Sequence, residues 1–484
     1  MMVFIGEGGT GKSHVINAFR CFARGWGIED KIRLSASSGV AAALIGGTTW
    51  HGLTKLTKQG KPHSKGKVIY DHIYMLIVDE ISMLSLSHFG AGADNLQNLC
   101  ARRGEPFGGL DVVLCGDFSQ LEPVGNSVFD TPSINARGTT KRYELHGSFL
   151  WNNNVNAVVE LVELKRCTDK ALASILQALR TGVFSPSVFK LMSSRYYKNV
   201  DGVVPSLSPK HTCIYDTNKQ VNEHNFIAPH LHAINTGERL FRITATSTDL
   251  SGQPLDPAVL SILYSKPVLF GEENAGPVPH IDFYMGMTVS VHQGNMCVET
   301  IGVGNGSHAC IVGVLPKGAL DPESCIELQV QLPVGCKHRT SKVLKPMSPI
   351  THLLLQLPLD APKSFRYHGL PWNVYPLPLM KRKTSNFKHA QFPVRGQSAC
   401  TPHKAQGLTL QKVAAAVTAA ENKLYVAISR VRRVEDFVLL KQFTHEDAAK
   451  CRPNTKIIKV LQDLRSVEQR TLKRIHNFPQ AAVG

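Results

Sequence analysis

Short apolar segments alternate with amphipathic ones through the first quarter of the chain. Apolar runs of strand length, each followed by turn or helix signals, lie at Val3–Ile5, Lys31–Ala36, Tyr74–Val78 and Asp111–Cys115. Between the first two runs, one helical face collects Val15, Ile16, Phe19 and Phe22. This alternation predicts an α/β fold with a doubly wound parallel sheet.

The same pattern predicts three regions. Residues 1–156 form a first α/β lobe, with a basic excursion over 52–70 that carries Lys55, Lys58, Lys61, Lys65 and Lys67. A second α/β lobe is predicted over 157–317 and 392–484, because Val158–Leu164 resembles a strand and Ala171–Arg180 a helix. Residues 318–391 are rich in proline and poor in helical patterns, which predicts an inserted β domain.

The first apolar run leads directly into a complete phosphate-binding loop, G-x-x-x-x-G-K-[ST], over Gly6–Ser13. Its glycines let backbone N–H groups curl around phosphates, and the following helix adds its partial positive charge. Lys12 is expected to reach the β- and γ-phosphates, and Ser13 to ligate Mg²⁺. The predicted nucleotide-binding residues of this loop are Gly6, Gly8, Gly9, Thr10, Gly11, Lys12 and Ser13.

Two further strands end in polar residues suited to nucleotide hydrolysis. Met75–Glu80 is an apolar run that ends in Asp79, expected to hold Mg²⁺, and Glu80, expected to deprotonate the attacking water. Val112–Leu121 carries Gln120 to the same sheet edge, where it is predicted to sense the γ-phosphate. Together with the phosphate loop, these residues indicate an enzyme that hydrolyses a nucleoside triphosphate.

The net charge and the cysteines indicate which kind of partner and which cellular compartment to expect. The 484-residue chain carries a net charge of +17, which fits a polyanionic partner about as well as a merely soluble basic surface. Its 11 cysteines include no C-x-x-C pair, which favours buried thiols over disulfides or a zinc ribbon. Because the sequence has neither a long apolar run nor a charged-then-apolar leader, we expect an intracellular protein without a membrane span.

Several segments, in order, resemble the motifs of the PIF-type (petite integration frequency) DNA helicases, relatives of RecD in superfamily 1B. Asp79–Met83 resembles motif II and Gly116–Leu121 resembles motif III. The other matching segments are Ala36–Ala42 and Gly47–His51 (the first DNA-contacting motifs), Glu163–Arg166 (motif IV), Thr401–Thr409 (motif V) and Leu424–Arg432 (motif VI).

The resemblance implies two RecA-like lobes that bind ATP between them, and an SH3-like domain at the inserted β segment. Arg166 and Arg430 would be arginine fingers, and Gly407 would approach the nucleotide. The residues implied to contact single-stranded DNA are Ser38, Thr49, His51, His403 and Lys404. The implied function is an ATP- and Mg²⁺-dependent 5′–3′ DNA helicase, monomeric, acting at duplex junctions in the nucleus or mitochondrion. The alternative is a remnant that binds nucleic acid without unwinding it.

Some positions depart from the family pattern. Members carry an adenine-reading Gln upstream of the loop, whereas five residues precede Gly6 here, which predicts a truncated or mobile-element-derived copy. Glu122 replaces the usual Pro, and Ser38 the usual Thr. His230-Leu231-His232 has the spacing of a nuclease metal motif, but it lies in a Pro-flanked stretch without a nearby carboxylate cluster, so we interpret it as structural.

Overall fold

The computed structural model describes residues 1–57, 60–62, 69–200, 211–260, 279–291, 307–333, 336, 338–357, 366–383, 386–452 and 454–476. The predicted basic excursion is therefore described only in part, and Lys58, Lys65 and Lys67 lie outside the described residues.

The first lobe contains a six-stranded sheet, parallel throughout, with the strand order β3-β2-β4-β5-β1-β6. Its strands are β1 (Met2–Gly6), β2 (Ile32–Ala36), β3 (Thr48–Thr49), β4 (Met75–Asp79), β5 (Asp111–Gly116) and β6 (Ala157–Leu161). Its helices are α1 (Lys12–Gly25), α2 (Gly39–Leu44), α3 (Trp50–Leu53), α4 (Leu86–Leu99) and α5 (Gly138–Asn154). The four apolar runs are confirmed as β1, β2, β4 and β5, each within a residue of its predicted bounds.

Both faces of this sheet are buried, which explains why its strands are almost continuously apolar. Val3, Ile5 and Leu76 pack on one face with α3, α4 and α5. Phe4 and Ile77 point to the opposite face, against α1 and α2. The sheet therefore holds the carboxyl ends of β1, β4 and β5 next to one another at one edge.

The second lobe contains a four-stranded parallel sheet with the order β20-β7-β21-β22. Its strands are β7 (His211–Tyr215), β20 (Ala399–Cys400), β21 (Lys412–Ala416) and β22 (Phe437–Leu439). Its helices are α6 (Lys170–Thr181), α7 (Pro186–Ser194), α8 (Asn218–Thr236), α9 (Pro402–Ala405), α10 (Lys423–Ile428) and α11 (His445–Lys450). The helix predicted over Ala171–Arg180 is confirmed as α6.

The predicted start of the second lobe is wrong, because the strand predicted over Val158–Leu164 belongs to the first lobe. It is β6, which ends at Leu161 and pairs in parallel with β1 along the whole of that strand. β1 is flanked by β5 on its other side, so β6 completes the hydrogen bonding of a central strand. The boundary between the lobes therefore follows residue 161.

The inserted β region also begins earlier than residue 318. Its strands are β8 (Phe241–Thr244), β9 (Thr246–Thr248), β10 (His280–Phe283), β11 (Thr288–Val291), β12 (His308–Leu315), β13 (Cys325–Gln331), β14 (Thr340–Pro346), β15 (His352–Gln356), β16 (Val374–Pro378), β17 (Met380–Lys383), β18 (Lys388–Gln391) and β19 (Val394–Gly396). They form three sheets with the orders β10-β8-β14-β13, β16-β15-β12-β11-β19 and β17-β18-β9. Since β8 pairs with β14 and β12 with β15, residues on both sides of 318 share one core. The SH3-like assignment stays a prediction.

The last described helix, α12 (Thr455–His476), returns to the first lobe although its sequence was assigned to the second. The Arg465 guanidinium makes two hydrogen bonds of 2.8 Å with the Glu160 carboxylate, and Thr471 Oγ1 accepts from the Val158 N–H at 3.1 Å. Ile457 and Leu464 join the core of the first sheet. This helix covers the edge strand β6.

The remaining short elements are 3₁₀ turns at Glu29–Lys31, Ile81–Met83, Pro106–Gly109, Tyr197–Asn199, Pro322–Ser324, Ala420–Asn422 and Val434–Asp436. In the part of the chain that the structure describes, no helix combines the length and the apolarity needed to cross a membrane.

Candidate functional site

The phosphate loop connects β1 to α1 at the carboxyl edge of the first sheet. Gly9 and Gly11 have φ values of 96° and 97°, a left-handed conformation that favours glycine. Lys12 is buried, and its Nζ donates to the carbonyl oxygens of Gly6 at 2.7 Å and Glu7 at 3.0 Å. Thr10 Oγ1 also donates to the Glu7 carbonyl, at 2.9 Å. The lysine is therefore held over the loop, where phosphates would lie.

Gly9 also marks the contact between the two lobes. The backbone N–H groups of Lys165 and Arg166 donate to the Gly9 carbonyl at 2.9 and 3.0 Å. A Cβ added at Gly9 would lie 2.7 Å from the Cβ of Arg166, closer than side chains approach. Glycine at this position therefore allows the segment before α6 to reach the phosphate loop.

Asp79 and Glu80 lie at the end of β4, next to the loop, and both are buried. Asp79 Oδ1 accepts from the Glu80 N–H at 2.8 Å. Burial raises the pKa of Asp79 to about 7, with the Glu80 charge adding to the rise and Lys12 opposing it. Two buried carboxylates side by side favour a cation between them and the loop, so Asp79 and Ser13 fit the predicted role of Mg²⁺ ligands.

Glu80 is positioned by a residue of the second lobe that the sequence prediction left without a role. Gln406, buried just after α9, donates from Nε2 to Glu80 Oε2 at 2.9 Å and to Ser82 Oγ at 3.3 Å. Gly407 follows with φ 85°, and a Cβ there would lie 3.6 Å from Glu80 Oε1. The signal for Gln406 was its place within the motif V segment.

Asp117 follows β5, and one of its carboxylate oxygens accepts three hydrogen bonds. Its Oδ2 accepts from the Gly8 N–H, from Gln120 Nε2 and from the Tyr425 hydroxyl, each at 3.1 Å. Tyr425 belongs to α10 of the second lobe. Asp117 therefore connects the phosphate loop of the first lobe to the second lobe. The other amide atom of Gln120, Oε1, is buried without a hydrogen-bond partner and remains available to a ligand.

The two arginines predicted as fingers come together at this site. Arg430 is 1% exposed, and it donates from Nε to the Val426 carbonyl at 2.9 Å and from Nη2 to Ser429 Oγ at 2.7 Å. Arg166 donates from Nη1 to the Ser429 carbonyl at 3.1 Å. Burial, followed by the neighbouring Arg430 charge, lowers the pKa of Arg166 to about 10. Because a guanidinium keeps its charge in proteins, the two arginines favour an anionic ligand.

These groups surround one cavity of about 610 Å³ between the lobes. The predicted residues that line it are Gly8, Gly9, Gly11, Lys12, Ser13, Asp79, Glu80, Gln120, Arg166, Gly407 and Arg430. Gly6 and Thr10 of the loop do not line it. The lining residues that the sequence prediction did not assign include Lys165, Thr168, Thr409, Arg432 and Arg433. Lys165, Thr409 and Arg432 fall inside matched motif segments, whereas Thr168 carried no such signal.

The residues predicted to contact DNA divide between the lobes. On the first lobe, Ser38 Oγ accepts from the Ala41 N–H as the N-cap of α2, and Thr49 Oγ1 accepts from the Gly52 N–H as the N-cap of α3. His51 lies edge-on to His88, with ring centroids 4.6 Å apart. Burial, followed by His88, lowers the pKa of His51 to about 4, so the ring is neutral at pH 7. Either capping hydroxyl can still donate its hydrogen to a phosphate.

On the second lobe, His403 and Lys404 lie on α9, immediately before Gln406. The segment that would hold DNA is therefore continuous with the residue that contacts Glu80.

His230 and His232 lie on α8 and serve the packing of the β region. His230 is fully buried and its Nε2 is 3.0 Å from Asp282 Oδ2, while Asp282 also pairs with Arg242. His232 stacks on Tyr284, with centroids 3.9 Å apart. The fold brings the single carboxylate of Asp282 to His230 because β10 packs next to α8, and these contacts agree with the structural interpretation of the motif. Within the described ranges, no group of three or more metal-ligating side chains is found.

Comparison with known proteins identifies sequence relatives for less than half of the chain. Residues 1–192 match the family model described as PIF1-like helicase. The chain is 31% identical over 215 residues to the ATP-dependent DNA helicase PIF1 of Danio rerio, covering 42% of this chain and 31% of that protein. It is 29% identical over 238 residues to the ATP-dependent DNA helicase RRM3 of Saccharomyces cerevisiae, covering 46% of this chain and 30% of that protein. These matches span about a third of the relatives' length.

Solved structures extend the likeness in fold over nearly the whole chain. The Pif1 helicase of Candida albicans superposes with a TM-score of 0.64 at 20% identity, covering 96% of this chain and 95% of that one. A Bacteroides Pif1 helicase in complex with ADP-AlF3 and ssDNA superposes with a TM-score of 0.60 at 19% identity, covering 96% and 93%. Residues 1–192 therefore resemble the PIF1-like helicases in sequence, and the chain as a whole shares the fold of solved Pif1 helicases.

Proposed function

We propose that this chain is an ATP-dependent DNA helicase that couples ATP hydrolysis to 5′–3′ movement along single-stranded DNA and to unwinding at duplex junctions. The observation that carries the proposal is the interlobe cavity, in which Lys12, Asp79 and Glu80 of one lobe face Arg166 and Arg430 of the other. Such a cavity is complete only when the lobes are together, so hydrolysis is linked to their relative position.

The residues support a hydrolysis step with separate roles. The amides of the phosphate loop and Lys12 bind the β- and γ-phosphates, and a bound Mg²⁺ held by Ser13 and Asp79 would neutralise charge on them. Glu80, oriented by Gln406, accepts the proton of the attacking water. Arg166 and Arg430 stabilise the charge that develops on the transferred phosphoryl group. Gln120 lines the same cavity, where its unpaired amide oxygen can accept a hydrogen bond from the attacking water.

DNA is proposed to act on the same site through α9. His403 and Lys404 would contact the backbone of a single strand, while Ser38, Thr49 and His51 would contact it from the first lobe. A strand that spans both lobes favours their closure and stabilises the contact of Gln406 with Glu80. The related Bacteroides Pif1, solved with ADP-AlF3 and ssDNA, supports this assignment of ligands.

Steady-state ATP hydrolysis by the purified chain, with and without a poly(dT) strand, tests the proposal. We expect Mg²⁺-dependent hydrolysis that the strand stimulates strongly. Glu80→Gln should abolish hydrolysis while retaining ATP binding, because the amide keeps the hydrogen bond to Gln406 but cannot accept the proton. Lys12→Ala serves as the control that loses both. A hydrolysis rate unchanged by Glu80→Gln contradicts the role of Glu80.

A specific alternative is a protein that binds DNA and ATP without unwinding. A forked duplex with a 5′ single-stranded tail distinguishes the two: strand separation that requires ATP hydrolysis supports the helicase, and DNA-stimulated hydrolysis without strand separation supports the alternative.

A further inference from the structure

The phosphate loop of this chain contains a carboxylate, Glu7, that contacts the second lobe. Glu7 Oε1 forms an ion pair with Nη1 of Arg180, which lies in the last turn of α6. The two side chains are only 26% and 17% exposed. The pair thus joins the loop that would hold phosphates to a helix of the opposite lobe.

Arg180 also contacts other residues where the two lobes meet. Its Nη2 donates to Ser119 Oγ at 3.1 Å and lies 3.9 Å from Asp117 Oδ1. Its guanidinium lies over the ring of Tyr425, 5.9 Å from the centroid. One arginine therefore faces two carboxylates, Glu7 within the phosphate loop and Asp117 beside it.

The negative charges of Glu7 and Asp117 affect how tightly the phosphate loop can bind a nucleotide. Glu7 and the buried Asp117 both lie beside the backbone of Gly8, where a polyanionic ligand would approach. In a partly buried site, like charges repel far more strongly than in water. Without Arg180, Glu7 would oppose the binding of a triphosphate, whereas with Arg180 in contact its charge is neutralised.

We infer that Arg180 is a positioning residue that makes nucleotide affinity depend on lobe closure, by neutralising Glu7 only when the second lobe meets the phosphate loop. The inference rests on the proposed nucleotide binding and goes beyond it, because it assigns Glu7 and Arg180 a joint role. By linkage, anything that closes the lobes tightens nucleotide binding, and a bound nucleotide favours closure equally.

The test is a double-mutant cycle that measures the dissociation constant of mant-AMP-PNP with Mg²⁺ by fluorescence. Arg180→Met should weaken binding about tenfold or more, since it leaves Glu7 uncompensated. In a Glu7→Gln background, the same Arg180→Met change should have little effect. Arg180→Lys, which keeps the charge, should retain most of the affinity.

Arg195→Met is the matched control for loss of a second-lobe arginine. The Arg195 guanidinium donates to the Phe437 carbonyl from Nε at 3.0 Å and from Nη2 at 2.7 Å, away from the cavity. This variant should lower the thermal midpoint followed by circular dichroism without changing nucleotide affinity. An equal loss of affinity for Arg180→Met in both backgrounds, or no loss in either, overturns the inference.

A second readout separates this role from simple structural support. Adding poly(dT) should tighten mant-AMP-PNP binding in the parent chain, and this tightening should shrink in Glu7→Gln, whose loop no longer needs neutralisation. A DNA effect of equal size in both proteins, including none in either, overturns the coupling. Failure of the parent chain to bind the nucleotide at all would instead refute the proposed function, and the inference with it.

Discussion

At the scale of single residues, the cavity holds charges that folding alone disfavours. Asp79 is buried next to Glu80, and Arg430 is buried with backbone and hydroxyl partners but, among the described side chains, no carboxylate in ion-pair contact. Buried charges of this kind cost stability unless a ligand compensates them. Their positions are therefore explained by the ligand that they would bind.

Arg430→Ala and Arg166→Ala are expected to slow hydrolysis much more than they weaken ATP binding. Each guanidinium would act on charge that is present mainly in the transition state, and such an arginine can contribute about 10³-fold or more in rate. Single-turnover rates, compared with dissociation constants for mant-AMP-PNP, provide the measurement. A loss of affinity as large as the loss of rate would show that the residue only binds the ground state.

His51 should make the folded chain less stable in mild acid. Its folded pKa of about 4 lies below the ordinary value near 6.5, so between these values the unfolded chain binds the proton more readily. Stability due to neutral His51 is complete above about pH 6.5 and is lost as the pH falls towards 4. Urea unfolding of His51→Gln should therefore show a shallower loss between pH 7 and pH 5 than the parent chain. An identical pH dependence would contradict this burial of His51.

At the scale of elements, close contacts between helices depend on glycines. Gly90 of α4 and Gly147 of α5 let the two helices approach until backbone meets backbone. A Cβ at Gly90 would lie 2.0 Å from the Tyr143 carbonyl oxygen, and a Cβ at Gly147 would lie 2.6 Å from that of Leu86. This contact packs α4 and α5 together on one face of the first sheet. Asp79 and Asp117 lie at the ends of strands β4 and β5 of that sheet.

Gly90→Ala is therefore expected to destabilise the first lobe by about 3 kcal/mol or more, because backbone atoms must move apart. Gly25→Ala is the matched control, since Gly25 ends α1 and a Cβ there meets nothing within 4 Å. That change should be neutral or stabilise by less than about 1 kcal/mol. Urea unfolding followed by circular dichroism measures both, and equal effects of the two variants would contradict the packing of α4 on α5.

At the scale of the whole molecule, the chain carries a net charge of +17 and has a cavity at the junction of its two lobes. The proposed path of DNA runs across both lobes, from the N-caps of α2 and α3 to α9. Phosphate contacts along such a path should give affinity that depends on salt and little on sequence.

The logarithm of the affinity for poly(dT) should fall linearly with the logarithm of the salt concentration, by about 0.7 for each phosphate neutralised. Lys404→Gln should make this slope shallower by about 0.7. His51→Gln should leave the slope unchanged at pH 7.5, because the His51 ring is already neutral. Fluorescence anisotropy at several salt concentrations measures the slopes, and a flat dependence in the parent chain would contradict a path along the DNA backbone.

The amino-acid sequence alone determined the elements whose signals are local. Apolar runs of strand length set β1, β2, β4 and β5, and the spacing of glycines, Lys12 and Ser13 set the phosphate loop. Asp79, Glu80 and Gln120 were predictable because the carboxyl ends of parallel strands meet at one edge of a sheet. Each of these signals lies in residues that are neighbours along the chain, and the general geometry of parallel sheets brings the strand ends together.

Only the tertiary structure decided which distant segments meet. It assigned β6 to the first sheet, began the β region at Phe241, and returned α12 to the first lobe. It also paired Glu80 with Gln406, 326 positions later, and Glu7 with the distant Arg180. Periodicity and propensity describe each segment by itself, whereas these pairings follow from which apolar faces and unpaired strand edges the folded chain must cover.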